Sequence, residues 1–221
     1  MEEILLSWSG GKDSVLALYE ILRAGRYRVA ALVTTVTEEY DRISMHGVRR
    51  VLLERQCESL GCHLDIIYIT PHATNEEYER QMDQVLRKHK ATGINRVAFG
   101  DIFLEDLRKY REEKLAQVQM EALFPIWKRD TKELSQSLID LGFKTITTCV
   151  DSKVLDKKYV GRIIDNEFLK DLPKTVDKCG ENGEYHSFVY DGPIFKKKVD
   201  FRKGKVLLRD ERFFFCDLVP V

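Results

Sequence analysis

The first half of the chain alternates short continuous apolar runs with longer stretches in which apolar positions recur every three or four residues. Residues 4–8 form such a run, and Val15, Leu16, Leu18, Tyr19 and Leu22 then follow at helical spacing until Gly25 stops them. Residues 29–36 are β-branched and nearly unbroken, the pattern of a strand covered on both faces. The same reading predicts a helix over 47–60 ended by Gly61, and a strand over 63–70 closed by Pro71. A helix over 76–92 with Gly93 as its stop, a strand over 96–99 and a helix over 107–122 come next. Strands that alternate with helices of this length make β-α-β units, because parallel neighbours need a crossover between them. A parallel sheet is expected, with its ligand at the carboxyl ends of the strands. Three polar, glycine-containing segments fall at those ends: residues 9–14, 37–47 and 100–111. They should converge.

The texture changes near residue 130. Helices are predicted over 131–141 and 157–171, and a strand over 144–150. Strands over 188–190, 194–201 and 206–208 follow, with Gly192-Pro193 and Lys203-Gly204 as turns. The expectation is an α/β nucleotide-binding domain over residues 1–128 and a smaller α+β domain over 129–221, without a flexible linker between them.

Composition narrows the function classes. The 221 residues carry 36 basic and 36 acidic side chains, a formal net charge of zero, which disfavours a nucleic-acid binder held by bulk charge. At 43% hydrophobic and 33% charged the chain is globular, not a disordered tail. No apolar run is long enough for a membrane helix, and the acidic Met1-Glu2-Glu3 start is wrong for a secretory leader. A cytoplasmic protein is expected. Five cysteines lack any C-x-x-C pair, so neither a zinc ribbon nor a thioredoxin-type motif is written, and reduced, packed thiols are expected.

The richest chemistry lies in Ser9-Gly10-Gly11-Lys12-Asp13-Ser14, between a predicted strand and the helix it opens. Paired glycines permit positive φ and close backbone approach, and the amides of a new helix favour phosphate. Lys12 adds a charge, Ser9 and Ser14 add hydroxyls, and Asp13 beside an anion implies a bridging Mg²⁺ or backbone capping. A Walker A loop is excluded, because Asp13 stands where that loop has a Ser or Thr after its lysine. Without a ligand, the same stretch reads as a glycine turn.

This loop resembles the SGG-x-DS loop of the N-type ATP pyrophosphatases, which have the adenine nucleotide α-hydrolase-like fold. Cys179-Gly180-Glu181-Asn182-Gly183-Glu184-Tyr185-His186, continuing to Asp191-Gly192-Pro193, resembles the G-E-x-G-E signature of the diphthine–ammonia ligase-like branch. Together the motifs span almost the whole chain. The resemblance implies a Rossmann-like (HUP-type) first domain and a loop that grips the pyrophosphate end of ATP. It also implies cleavage between the α- and β-phosphates to form an adenylated acceptor. Glu181-Asn182-Gly183-Glu184 replaces the E-G-G-E of ligases that act on diphthine. The middle segment, Phe99-Gly100-Asp101-Ile102-Phe103-Leu104-Glu105-Asp106, lacks their Tyr, Gln and Arg. The variant is similar to bacterial-type members, whose acceptor need not be diphthine.

On that resemblance Lys12, Asp13, Asp101, Glu181 and Glu184 are the catalytic candidates. Ser9, Gly10, Gly11, Lys12, Asp13, Ser14, His46 and Gly100 are the nucleotide-binding ones, and Asp13 is the Mg²⁺ ligand. Glu181 and Glu184, three apart around a glycine, can aim both carboxylates into one space to bind Mg²⁺, orient an amine or act as a base. Outside a site they are two acids in a surface turn. Arg108, Arg111 and Glu112 are candidate clamps for a carboxylate or a solvated helix face. His186 is balanced between site and strand; His63, His72 and His89 read as structural. Lys196-Lys197-Lys198 and Arg202-Lys203-Gly204-Lys205 read as a lysine-protected sheet edge, and Phe213-Phe214-Phe215 as a buried strand.

The leading reading is a ligase that uses ATP and Mg²⁺ to adenylate a carboxylate-bearing acceptor, small or protein-borne. Ammonia or an amine then displaces AMP. No membrane partner is expected, nucleic acid is disfavoured, and a homodimer is compatible. The alternatives are a tRNA-thiolating enzyme, for which Cys149 and Cys179 would be the thiols, and a non-catalytic nucleotide-binding module.

Overall fold

The computed structural model describes residues 1–70 and 74–221. The predicted closure of a strand by Pro71 and the structural reading of His72 lie outside the described residues.

Five parallel strands form the first sheet in the order β4-β2-β1-β5-β6. They are β1 (Glu2–Ser7), β2 (Tyr27–Thr37), β4 (Leu64–Ile69), β5 (Arg96–Ala98) and β6 (Glu121–Leu123). A two-residue strand, β3 (Arg42–Ile43), pairs antiparallel with the end of β2. The centre is β1, and Ile4, Leu5 and Leu6 are fully buried because both faces of the sheet are covered. From β1 the chain passes to β2 on one side, and it later returns as β5 on the other. The crevice between the ends of β1 and β5 is therefore the switch point at which such sheets bind ligands.

Helix α1 (Lys12–Ala24) buries Val15, Leu16, Leu18 and Ile21, and ends where Gly25 takes φ 63° and donates its N–H to the Ile21 carbonyl. Helix α2 (Arg50–Leu60) stops in the same way at Gly61. Helices α3 (Asn75–Ala91) and α4 (Glu105–Gln117) are far more polar; Leu86 and Leu115 are their only buried residues.

The second half holds an antiparallel sheet, β8-β7-β10-β9. Its strands are β7 (Lys144–Asp151), β8 (Tyr185–Asp191), β9 (Phe201–Arg209) and β10 (Phe213–Pro220), with α5 (Thr131–Asp140) and α6 (Asn166–Asp171) alongside. One apolar core runs through both sheets: Leu16, Leu53, Phe143, Phe188 and Leu218 belong to the same buried cluster.

Four expectations are corrected. The helix predicted over 107–122 ends at Gln117; Gln119 turns with φ 56° and residues 121–123 pair with β5 as β6. The helix over 157–171 is broken at Gly161 (φ 74°), where the Thr147 hydroxyl accepts the Arg162 N–H and donates to the Tyr159 carbonyl. Only a short 3₁₀ turn (Lys157–Tyr159) and α6 remain helical. Residues 194–200 are not a strand. They form a strap fixed to α2, where Ser59 bonds the backbone of Lys196 and Lys197. Finally, Lys203-Gly204 is no turn but lies within the edge strand β9, with Lys203 opposite Leu218.

Candidate active site

The segments at the carboxyl ends of β1, β2 and β5 do converge. They enclose a cleft of about 500 Å³ whose remaining wall comes from the antiparallel sheet, through the 180–183 turn and Tyr185, His186 and Ser187. Ser9, Lys12, Asp13, Ser14, His46, Gly100, Asp101 and Glu181 all line it.

The Ser-Gly-Gly loop is shaped by its own hydroxyls and by the second sheet. Gly10 takes φ 72°, the left-handed region open to glycine. Ser9 Oγ accepts the Gly11 N–H at 3.2 Å, and Ser14 Oγ donates to the Gly11 carbonyl at 2.9 Å. The Lys12 N–H, at the start of α1, donates to Ser187 Oγ of β8 at 3.2 Å. Gln56 of α2, fully buried, accepts from the Trp8 indole and donates to the carbonyls of Gly10 and Val189. At Gly100 a Cβ would meet the backbone of Asp13 and Ser14 at 2.8–2.9 Å, so only glycine lets β5 approach α1 this closely.

Charge is concentrated beside that loop. The buried Lys12 ammonium is 2.7 Å from Asp13 Oδ2 and 5.1 Å from the centre of the Tyr185 ring. Burial opposes its charge, yet Asp13, with Tyr185 and Cys179 nearby, holds the lysine protonated well above its ordinary range. Burial raises the Asp13 carboxyl against the opposing pull of Lys12. Asp101 is paired with Arg111, whose Nε is 2.6 Å from Oδ2 and whose Nη2 donates to Oδ1 at 3.1 Å. Glu181 accepts the Ile102 N–H at 2.7 Å. Burial, reinforced by Asp13 and Asp101, raises its carboxyl to about 7 against the pull of the Ile102 amide and Lys12.

His46 Nδ1 is 3.0 Å from the Ser187 carbonyl, which can only accept, so Nδ1 carries the proton and Nε2 is left as an acceptor. Its ring is 4.6 Å from that of His186. Burial lowers His46 to about 4, against the bond to the Ser187 carbonyl, and takes His186 well below the ordinary range, with the Lys12 charge adding to both effects. Two neutral imidazoles therefore face the cleft.

Other candidates lie elsewhere. Glu184 does not share the cleft with Glu181. It is buried beneath the turn, where Oε1 accepts from the Asp177 N–H and the Asn182 amide, each at 3.0 Å. Its contribution is to shape the loop that presents Glu181. Arg108 is stacked on Phe124 and Trp127 and paired with Glu112, so of the proposed clamp only Arg111 reaches the cleft. His63 and His89 both bond Asp65, a structural role. The lysine-rich strand β9 is a sheet edge, and Phe213–Pro220 is an inner strand whose three phenylalanines are half-buried. The five cysteines are unpaired, and burial raises each thiol, Cys149 to about 12. Neither Cys149 nor Cys179 lines the cleft.

Ser187 and Gln56 were missed. Gln56 falls among Leu52, Leu53 and Cys57 on the buried side of α2, and a glutamine at that spacing is a legible signal. Ser187 carries none, because its role depends on where β8 docks.

Among the described residues no three metal-ligating side chains cluster. Asp13 Oδ1 is nevertheless buried without a hydrogen-bond partner. Mg²⁺ is commonly held by one or two carboxylates plus phosphate oxygens, so the donor set fits a metal that arrives with a nucleotide.

A parallel α/β sheet whose glycine loop opens a helix at the switch point defines a phosphate-binding class of protein. Comparison with known families is more particular. The family model of the diphthamide synthase N-terminal domain matches residues 1–121, and that of the C-terminal domain matches residues 130–216. The chain belongs to the diphthamide synthase family. Among similar proteins, the diphthine–ammonia ligase of Danio rerio is 29% identical over 228 residues, covering 93% of this chain and 89% of its own. That of Homo sapiens is 24% identical over 229 residues, covering 93% and 85%.

Proposed function

We propose that the protein is an ATP-dependent, amide-forming ligase that adenylates an acceptor carboxylate and passes it to ammonia or an amine. The observation that carries this reading is the opposition, across one cleft, of the Lys12–Asp13 pair at the start of α1 and Glu181 from the second sheet. The loop and Lys12 grip the β- and γ-phosphates and stabilise charge developing on departing pyrophosphate. Asp13, with Asp101 across the Gly100 contact, would hold the Mg²⁺ that accompanies the nucleotide and neutralises its phosphates. Neutral His46 borders the nucleotide without adding a competing cation. Glu181, titrating near neutrality, takes a proton from the incoming ammonium or from the amine as it attacks the acyl-adenylate. In this assignment residues 1–128 bind ATP and residues 129–221 shape the acceptor side.

Incubation with ATP, ammonium and carboxylic acids, followed by chromatography of the nucleotides, tests the reading. AMP and pyrophosphate should appear only with an acceptor present. ADP and orthophosphate rising in step with product would overturn it, since the γ-phosphate would then be the group that leaves. A thiolating enzyme is the weaker reading because its two candidate thiols are held protonated and lie off the cleft.

A further inference from the structure

A second cavity, of about 110 Å³, lies between α3 and α4 against the sheet. These two helices bury only Leu86 and Leu115, and both side chains line the cavity. It is continuous with the cleft: Ser7, Val33, Tyr78, Met82, Phe99 and Arg111 line both. Its walls are apolar, formed by Met82, Leu86, Val97, Leu115 and Val118.

The rim decides what kind of group enters. Glu79 is already bonded to the Lys114 ammonium at 2.6 Å and to the Tyr110 hydroxyl at 3.1 Å, and Asp83 to Arg87 at 2.7 Å. The Phe99 ring carries the Arg111 guanidinium at 4.4 Å, and the Tyr110 ring carries Lys114 at 5.6 Å. The Glu79 and Asp83 carboxylates and the Phe99 and Tyr110 ring faces are thus taken, the Tyr78 ring carries no cation among the described residues, and two cations stand beside the opening. A charged ammonium is disfavoured there; a neutral hydrocarbon group is not. A dry apolar cavity of 150 Å³ holds benzene, so this smaller one, at about 110 Å³, fits roughly four to five carbon atoms. Arg111 stands at the junction with donors beyond those engaged by Asp101, able to hold a carboxylate at the entrance to the cleft.

We propose that this pocket binds a compact, uncharged apolar group of the acceptor, whose carboxylate is presented past Arg111 to the nucleotide. The inference rests on the ligase reading, but its test does not need turnover. Acetate, 4-methylpentanoate and glycine betaine are titrated into the full chain with ATP, and the methyl resonances of Met82, Leu86, Val97, Leu115 and Val118 are followed by NMR. The branched acid should shift these methyls and bind at least about tenfold tighter than acetate, consistent with burial of two or more methylene equivalents. Betaine should bind no better than acetate. Val118→Phe, which fills the pocket from a residue that does not line the cleft, should abolish the preference while leaving ATP affinity unchanged. Leu86→Ala, which enlarges it, should move the preference to 3-phenylpropanoate.

Equal binding of acetate and the branched acid, preference for betaine, or a preference that survives in both variants would overturn the proposal. Selective binding without AMP formation would sink the ligase reading and leave the pocket standing. AMP formation without apolar preference would do the reverse.

Discussion

Lys12 does two jobs that its position in a glycine loop does not reveal. It faces the cleft, and it is also the buried counter-ion of Asp13. Lys12→Met should therefore lower ATP affinity roughly 10- to 150-fold, the worth of a charge-assisted contact. The same change leaves a buried carboxylate alone, which costs about 3–5 kcal/mol if the pair is fully desolvated and less here, because Asp13 is partly exposed. Adding Asp13→Asn should recover the melting temperature but not the calorimetric ATP affinity. Recovery of both would remove Lys12 from the phosphate site.

Glu181 supplies a second test at this scale. Its folded pKa of about 7 lies above the ordinary 4.5, so between those values the folded protein holds more protons than the unfolded chain. Its contribution to stability is accordingly fullest below about pH 4.5 and is lost as pH rises through 7. Glu181→Gln keeps an acceptor for the Ile102 amide and removes this loss. The variant should gain about 1–3 kcal/mol relative to the native protein between pH 5 and pH 8, measured by denaturant titration. Its acceptor-dependent turnover should also lack the rising limb near pH 7.

At the scale of elements, Gln56 is the joint between α2, the glycine loop and β8. Gln56→Leu leaves the Trp8 indole and the carbonyls of Gly10 and Val189 without this partner. Each buried group left unpaired costs about 1–3 kcal/mol, so a loss of about 3 kcal/mol in unfolding free energy is expected, with loosened ATP binding. An unchanged denaturant midpoint would refute the joint.

The sequence made the central strands and the glycine turn between β1 and α1 legible for one reason: both are fixed by local pattern. Residues 4–6 and 31–33 are apolar wherever they point, and glycine pairs have few uses between a strand and a helix. What escaped was set by distant partners. Nothing between Val118 and Ala122 announces a strand; pairing with β5 makes one. Residues 194–200 alternate like a strand but are captured by Ser59. Glu184 is spaced to join Glu181, yet the Asp177 amide holds it beneath the turn. Gly161, by contrast, was a visible break.

For the molecule as a whole, the division by sequence does not coincide with a division of the core. Leu16 and Leu53 from the first half share a cluster with Phe143, Phe188 and Leu218 from the second. Arg42 and Arg49 both bond the Asp217 carboxylate, and Gly47 rests on the Phe215 ring so closely that a Cβ would clash at 2.5 Å. Residues 1–128 expressed alone should therefore expose an apolar face and lack a cooperative melting transition, as read by circular dichroism. A sharp transition with retained ATP binding would show that the parallel sheet stands unaided.

The bond from the Lys12 amide to Ser187 spans 175 residues. Chains fold from the N-terminus as they are made, at about 5–20 residues per second, so synthesis reaches the serine roughly 10–35 seconds after the glycine loop has been made. Throughout that interval the nascent chain has a lysine, two glycines and a helix start, but no completed cradle for a triphosphate. On the proposed ligase reading, ATP capture is thereby expected to wait until the strand that carries Ser187 exists. On the same reading, a chain terminated before residue 187 is expected not to make reactive adenylates. Ribosome-bound chains halted before residue 187 should fail to retain a fluorescent ATP analogue that the released full-length protein binds.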